Sequence, residues 1–213
     1  MLHKDLLAKR FFILLTLLWM VLSQCGASIP SKKPKQWKKI ASHNMFDTPF
    51  PENTSYFPKN TFSKYVTNWY SEVLKRMNEP ILYTLIDKNI ETYRFTLIPS
   101  FYPALSIRVY QSGEKKVLIV KELSEAGGYD LGELKHNVER QLLKKEWQNI
   151  LVHVKRSSYW FLKTKIDDLG FDGEEWIMEG VKSGKYHVVD RWSLDEGSYR
   201  DFCDYLLKLS RVD

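Results

Sequence analysis

An α+β fold is what this sequence predicts, as one domain in which an antiparallel β meander and a hairpin pack with three main amphipathic helices. Three observations carry that expectation. Apolar residues recur at spacings of three and four in separate stretches. Alternating stretches fall together in the middle of the chain and again near its end. Strands and helices are thus grouped rather than strictly alternating, which favours α+β over a doubly wound parallel sheet. With 213 residues, 44% hydrophobic and 14% aromatic, the chain can enclose a core of its own. The expected organisation is a leader over 1–27, a lysine-rich tether and coil over 28–60, and a single domain over 61–213.

The leader is read from its order of charges and apolar residues. Lys4, Lys9 and Arg10 precede Phe11 to Leu22, an apolar run broken by Thr16, which is the n-region and h-region order of a secretory signal. Twelve helical residues reach roughly 18 Å against a hydrocarbon core of roughly 30 Å, so a stable span is disfavoured. Leu22-Ser23-Gln24-Cys25-Gly26 resembles a bacterial lipobox, with Cys25 as the lipidated residue and Gln24 as a departure from the usual small residue. Cleavage after Ala27 is the competing reading, and an uncleaved anchor is the third. Lys32, Lys33, Lys35, Lys38 and Lys39 then form a tether with no acid among them, suited to a domain held near anionic headgroups.

From Thr61 the helical period is explicit: Phe62, Tyr65, Val66, Trp69, Tyr70, Val73, Leu74 and Met77 mark one helix, ended by Asn78-Glu79-Pro80. Strands follow at Tyr93–Ile98, Leu105–Tyr110 and Lys116–Glu122, the last two joined by a turn at Gln111-Ser112-Gly113-Glu114. Gly127 and Gly128 suit a loop, since the pattern of a phosphate-binding loop is missing around them. A long helix is expected from about Val138 through Leu142, Leu143, Trp147, Ile150, Leu151 and Val154. Trp176–Val181 and Tyr186–Trp192 form a hairpin through a Ser183-Gly184 turn, which would pair Val181 with Tyr186 and Trp176 with Arg191. Tyr199, Phe202, Cys203, Leu206 and Leu207 make the closing helix, with Ser198 as its expected cap.

The hairpin carries the densest set of polar candidates for a site: Glu179, His187, Asp190 and Arg191. Strand alternation puts Glu179, Tyr186, Val188 and Asp190 on one face and Trp176, Met178, His187, Val189 and Arg191 on the other. Acid and base groups must converge on one centre, and this split weighs against it; Arg191 opposite Trp176 suggests a cation–π pair instead. The histidines His3, His43, His136, His153 and His187 lack zinc-site spacing, so no metal and no cofactor are expected. Cys203 falls on an apolar helix face and reads as a buried thiol.

Three stretches together resemble a family of uncharacterised bacterial proteins, many of them exported. They are Asn78-Glu79-Pro80 leading to Tyr93-Arg94-Phe95; Lys121-Glu122-Leu123 with Ala126 to Tyr129; and Asp172-Gly173 with Trp176, Glu179-Gly180 and Gly184 to Ser193 (GKYHVVDRWS). The resemblance implies a shared fold and no activity.

Charge completes the expectation. The net +6 resides in the leader and tether, which leaves the domain near neutral and removes the support for a nucleic-acid partner. The expected function is an exported cell-envelope protein, lipid-anchored and facing the periplasm or outer membrane, that binds a protein or glycan. A secreted soluble form is the localisation alternative. A small envelope hydrolase using the hairpin carboxylates is the functional alternative, and whether the chain is an enzyme stays open.

Overall fold

Short turns with positive φ set the sheet. Ser183 (φ +50°) and Gly184 (φ +75°) form the mirror-image turn that matches strand twist, and they pair Val181 with Tyr186 and Trp176 with Arg191 as expected. The computed structural model describes residues 38–39, 55–126, 130–166 and 172–211. The leader, Cys25 and Gly127 to Tyr129 lie outside them, as does most of the tether.

Among the described residues, β2 (Glu91–Pro99), β3 (Pro103–Ser112), β4 (Lys115–Ala126) and β5 (Leu134–Gln141) form an antiparallel meander. The hairpin of β6 (Glu174–Lys182) and β7 (Lys185–Trp192) joins it along β2. β1 (Lys38–Lys39), within the stretch read as tether, pairs its backbone with β5, so the sheet order is β1-β5-β4-β3-β2-β6-β7. Among the described residues, α1 (Lys64–Arg76), α2 (Lys144–Arg156) and α3 (Ser198–Ser210) are the α-helices that cover this sheet. The fold is α+β. No helix among the described residues is long and apolar enough to cross a membrane.

Two expectations need correction. The segment from Val138 is strand, and α2 begins at Lys144. Glu146 explains the boundary: its carboxylate accepts from the Leu143 N–H at 2.9 Å and from both Nη atoms of Arg140 at 2.7 and 3.0 Å. It thereby pins the strand end to the first helical turn. Ser198 does not cap α3. It is already helical, Gly197 precedes the helix, and the Asp201 N–H bonds the Gly197 carbonyl at 2.9 Å.

The sheet buries both faces. On one, Tyr93, Phe95, Ile107, Val109, Leu118, Trp176, Met178 and Val189 meet Trp147 and Ile150 of α2 and Phe202, Cys203 and Leu206 of α3. Cys203 is fully buried, and burial pushes its thiol well above the usual range. On the other face α1 contributes Tyr70, Val73 and Leu74, joined by Met77, Tyr56 and Phe57, so the core extends upstream of α1. Leu82, Leu85 and Ile90 cover the sheet further along that face.

Candidate functional site

How α1 ends decides what is buried beneath it. Asn78 adopts φ +50°; its N–H bonds the Lys75 carbonyl at 2.9 Å and the Glu79 N–H bonds the Leu74 carbonyl at 3.0 Å. This is a Schellman ending with asparagine in the left-handed position. It turns the chain down so that Glu79 enters the sheet face with 0% exposure.

Strand alternation has filled that face with cations. Glu79 Oε2 accepts from Arg108 Nε at 2.8 Å and Arg94 Nη1 at 3.3 Å, and Lys121 Nζ lies 3.2 Å from Oε1. Arg94 also donates through Nε (2.8 Å) and Nη2 to Glu179 Oε2, and through Nη1 to the Pro80 carbonyl at 2.7 Å. Tyr186 donates to Glu179 Oε1 at 2.9 Å. Burial alone would raise the Glu79 carboxyl; Arg108, Lys121 and Arg94 outweigh it and hold the group at about 2. Glu179 is a member of this network and is fully buried.

A second polar centre lies further along the hairpin. Tyr70 of α1 donates to Asp190 Oδ2 at 3.2 Å, and Lys165 Nζ stands 3.8 Å from the same oxygen. Glu175 stands close enough to Asp190 for the Asp190 charge to act on its carboxyl. Burial and the Asp190 charge push Glu175 up to about 8, and burial also raises Asp190. Glu175 is thereby biased toward its protonated form at neutral pH.

The four hairpin candidates therefore separate. Glu179 and Asp190 share the α1 face, as alternation predicts, but serve different clusters. His187 sits on the opposite face among rings, 5.2 Å from Tyr159 and 6.2 Å from Trp160 between centroids, with its pKa lowered by burial. Arg191 donates to the carbonyls of Lys163 (2.9 Å), Thr164 (3.3 Å) and Asp190 (2.6 Å) and lies 5.8 Å from the Tyr199 ring centroid. The cation stacked on Trp176 is Arg200, at 4.3 Å. Glu175, Tyr70 and Lys165 were not anticipated by the sequence reading, nor were Glu79, Arg94, Arg108 and Lys121. For Glu175, Arg94, Arg108 and Lys121 the one signal was polar residues at alternate positions of neighbouring strands. Among the described residues no group of acids, histidines and cysteines could hold a metal ion.

No protein-family model and no curated protein matches the chain.

One surface feature remains. Ser158, at φ +51°, ends α2 and starts a short 3-10 turn, Tyr159–Phe161. The turn directs Tyr159 inward, where its hydroxyl donates to the carbonyls of His187 (2.6 Å) and Met178 (3.2 Å). Gly180 makes this possible, because a Cβ there would come within 2.9 Å of the Tyr159 ring. Trp160 is half-buried and Phe161 is 91% exposed. Together with Leu151, Val154, Lys155, Ser158 and Lys182 they line an open groove of about 340 Å³.

Proposed function

We propose that this chain is exported and held at the cell envelope by its leader, with lipid on Cys25, and that its folded domain is a binding or accessory module. Its partner belongs to the envelope, whether protein, glycan or lipid, and no nucleic acid is involved. The observation that carries this reading is the fate of the hairpin polar groups. Glu179 is committed to Arg94 and Tyr186, Arg191 to backbone carbonyls, and His187 to aromatic packing on the far side of the sheet. Groups so employed hold the fold, while the exposed aromatic groove offers itself to a partner. Intact-mass analysis of the native N-terminus tests the localisation. A diacylglycerol-modified Cys25 is expected, and a retained Met1 in a cytosolic chain would sink the proposal.

A second reading rests on the Glu175–Asp190 pair. A carboxyl pushed up to about 8 beside a second buried acid is the kind of group a general acid–base device uses, which keeps a small envelope hydrolase in play. The conservative variant Glu175→Gln separates the two readings. Loss of the cellular phenotype with folding intact supports the hydrolase, and an unchanged phenotype supports the binding module.

A further inference from the structure

The stretch from Lys155 to Ile166 (KRSSYWFLKTKI) joins cations to aromatic residues. It contains Lys155, Arg156, Lys163 and Lys165, no acid, and an aromatic centre. The fold presents rather than hides that centre. Phe161 is the most exposed of the large hydrophobic side chains at 91%, and Ile166 is 48% exposed. Lys155, Arg156 and Lys163 are all exposed beside it, and none of the three has an ion-pair partner among the described residues. The left-handed Ser158 and the inward anchor Tyr159 fix the turn against the sheet, so Phe161 projects from a rigid base.

An exposed aromatic ring with cations on neighbouring residues suits one class of surface above others. Aromatic side chains settle at the headgroup level of a bilayer, and lysine or arginine beside them draws them to anionic lipid. A protein groove would be expected to enclose the ring from more sides than the open groove here does. The other exposed aromatic turn makes the contrast: Phe101 and Tyr102, 57% and 71% exposed, are flanked by Ser100 and Pro103 and lack neighbouring cations in sequence.

We infer that the Phe161 turn docks the folded domain onto an anionic membrane surface, with the ring entering the headgroup region and Lys155, Arg156 and Lys163 contacting lipid phosphates. The inference deepens the envelope reading proposed above. For a chain already tethered at its N-terminus, such a contact supplies a second, reversible signal and fixes the orientation of the domain.

The test must report on the turn rather than on the leader, so it uses the full chain with a local probe. An environment-sensitive fluorophore is attached to a Phe161→Cys variant, and in a separate sample to Tyr102→Cys. Wild type treated with the same reagent gives the background from Cys25 and Cys203. With vesicles of phosphatidylcholine and phosphatidylglycerol, the probe at position 161 should shift to the blue and become several-fold less accessible to iodide, while the probe at 102 stays exposed. Pure phosphatidylcholine should give little change. Adding Lys155→Glu and Lys163→Glu should abolish the shift, as should about 1 M salt, where screening shortens to about 3 Å. Equal responses at 161 and 102, or none at 161, overturn the inference. Concentration-dependent shielding at 161 without vesicles also overturns it, in favour of self-association. The result is independent of the N-terminal mass: an unprocessed leader would defeat the envelope proposal and still leave the behaviour of the two probes to decide this one.

Discussion

Phe202, Cys203 and Leu206 of α3 meet Tyr93 and Met178 across an interface of apolar atoms, whereas on the opposite face Glu79, brought in by the turn after α1, meets Arg94, Arg108 and Lys121. Both faces exclude water, and helices of 13 residues cover each. What differs is the tolerance of each contact to error. An apolar interface loses stability in proportion to the volume removed. A buried ionic cluster fails in steps, because deleting one charge leaves its partners unpaired in a poor solvent. The same sheet is therefore adaptable on one side and exacting on the other.

The largest test of that contrast is Glu79→Gln. Three cations lose their shared counter-charge, and unfolding free energy should fall by about 3–5 kcal/mol, read from denaturant midpoints. The acid limb gives a second signature. Because the folded-state Glu79 sits at about 2 against an ordinary 4.5, its contribution is complete above pH 4.5 and is lost as pH falls towards 2. Wild type should show that slope and the variant should lack it. Leu206→Ala on the other face should cost about 2–5 kcal/mol, and it should leave the acid limb unchanged. A variant of Leu206 that altered the acid slope would break the division between the faces.

Glu175→Gln should act in the opposite direction. A carboxyl whose folded-state value is raised to about 8 from 4.5 stabilises the fold fully below 4.5 and loses that contribution as pH rises through 8. The neutral amide escapes the loss. The variant should match wild type at pH 4 and exceed it above pH 8 by about 1–2 kcal/mol, the size allowing for solvent screening at a partly exposed group. Parallel stability curves for the two proteins would show that Glu175 ionises normally.

Apolar packing was more legible than the charged cluster. Period-two and period-three-to-four patterns located α1, α3 and five of the six longer strands, because apolar residues on either face declare themselves by spacing alone. The missed strand, β5, has a weak pattern of its own: Lys135, His136, Asn137 and Glu139 are strand residues here because β4 supplies the pairing. The charged face was opaque for a different reason. Arg94, Arg108 and Lys121 alternate as solvent-facing residues would, and their burial follows from the cover laid over them by α1 and the turn at Asn78. Alternation placed Glu179 and Asp190 on one face. It could not show that they serve separate clusters, which depends on Arg94 and Tyr70, distant in sequence.

The smallest expected effect cuts across the contrast. Ser106 Oγ and Thr96 Oγ1 lie buried on the charged face without a hydrogen-bond partner among the described residues, so removing the Ser106 hydroxyl relieves an unsatisfied group. Ser106→Ala should be neutral or stabilising, by up to about 1 kcal/mol. On the apolar face Tyr199 buries one hydroxyl that donates to the carbonyls of both Trp176 and Val189 at 3.1 Å. Tyr199→Phe also deletes a single oxygen, and it should cost about 0.5–1.5 kcal/mol. If the two denaturant midpoints move in opposite directions, a polar atom's worth depends on whether it is partnered and not on how polar its surroundings are. If both fall, an unseen partner such as an internal water holds Ser106, and the charged face is more completely satisfied than its side chains alone make it.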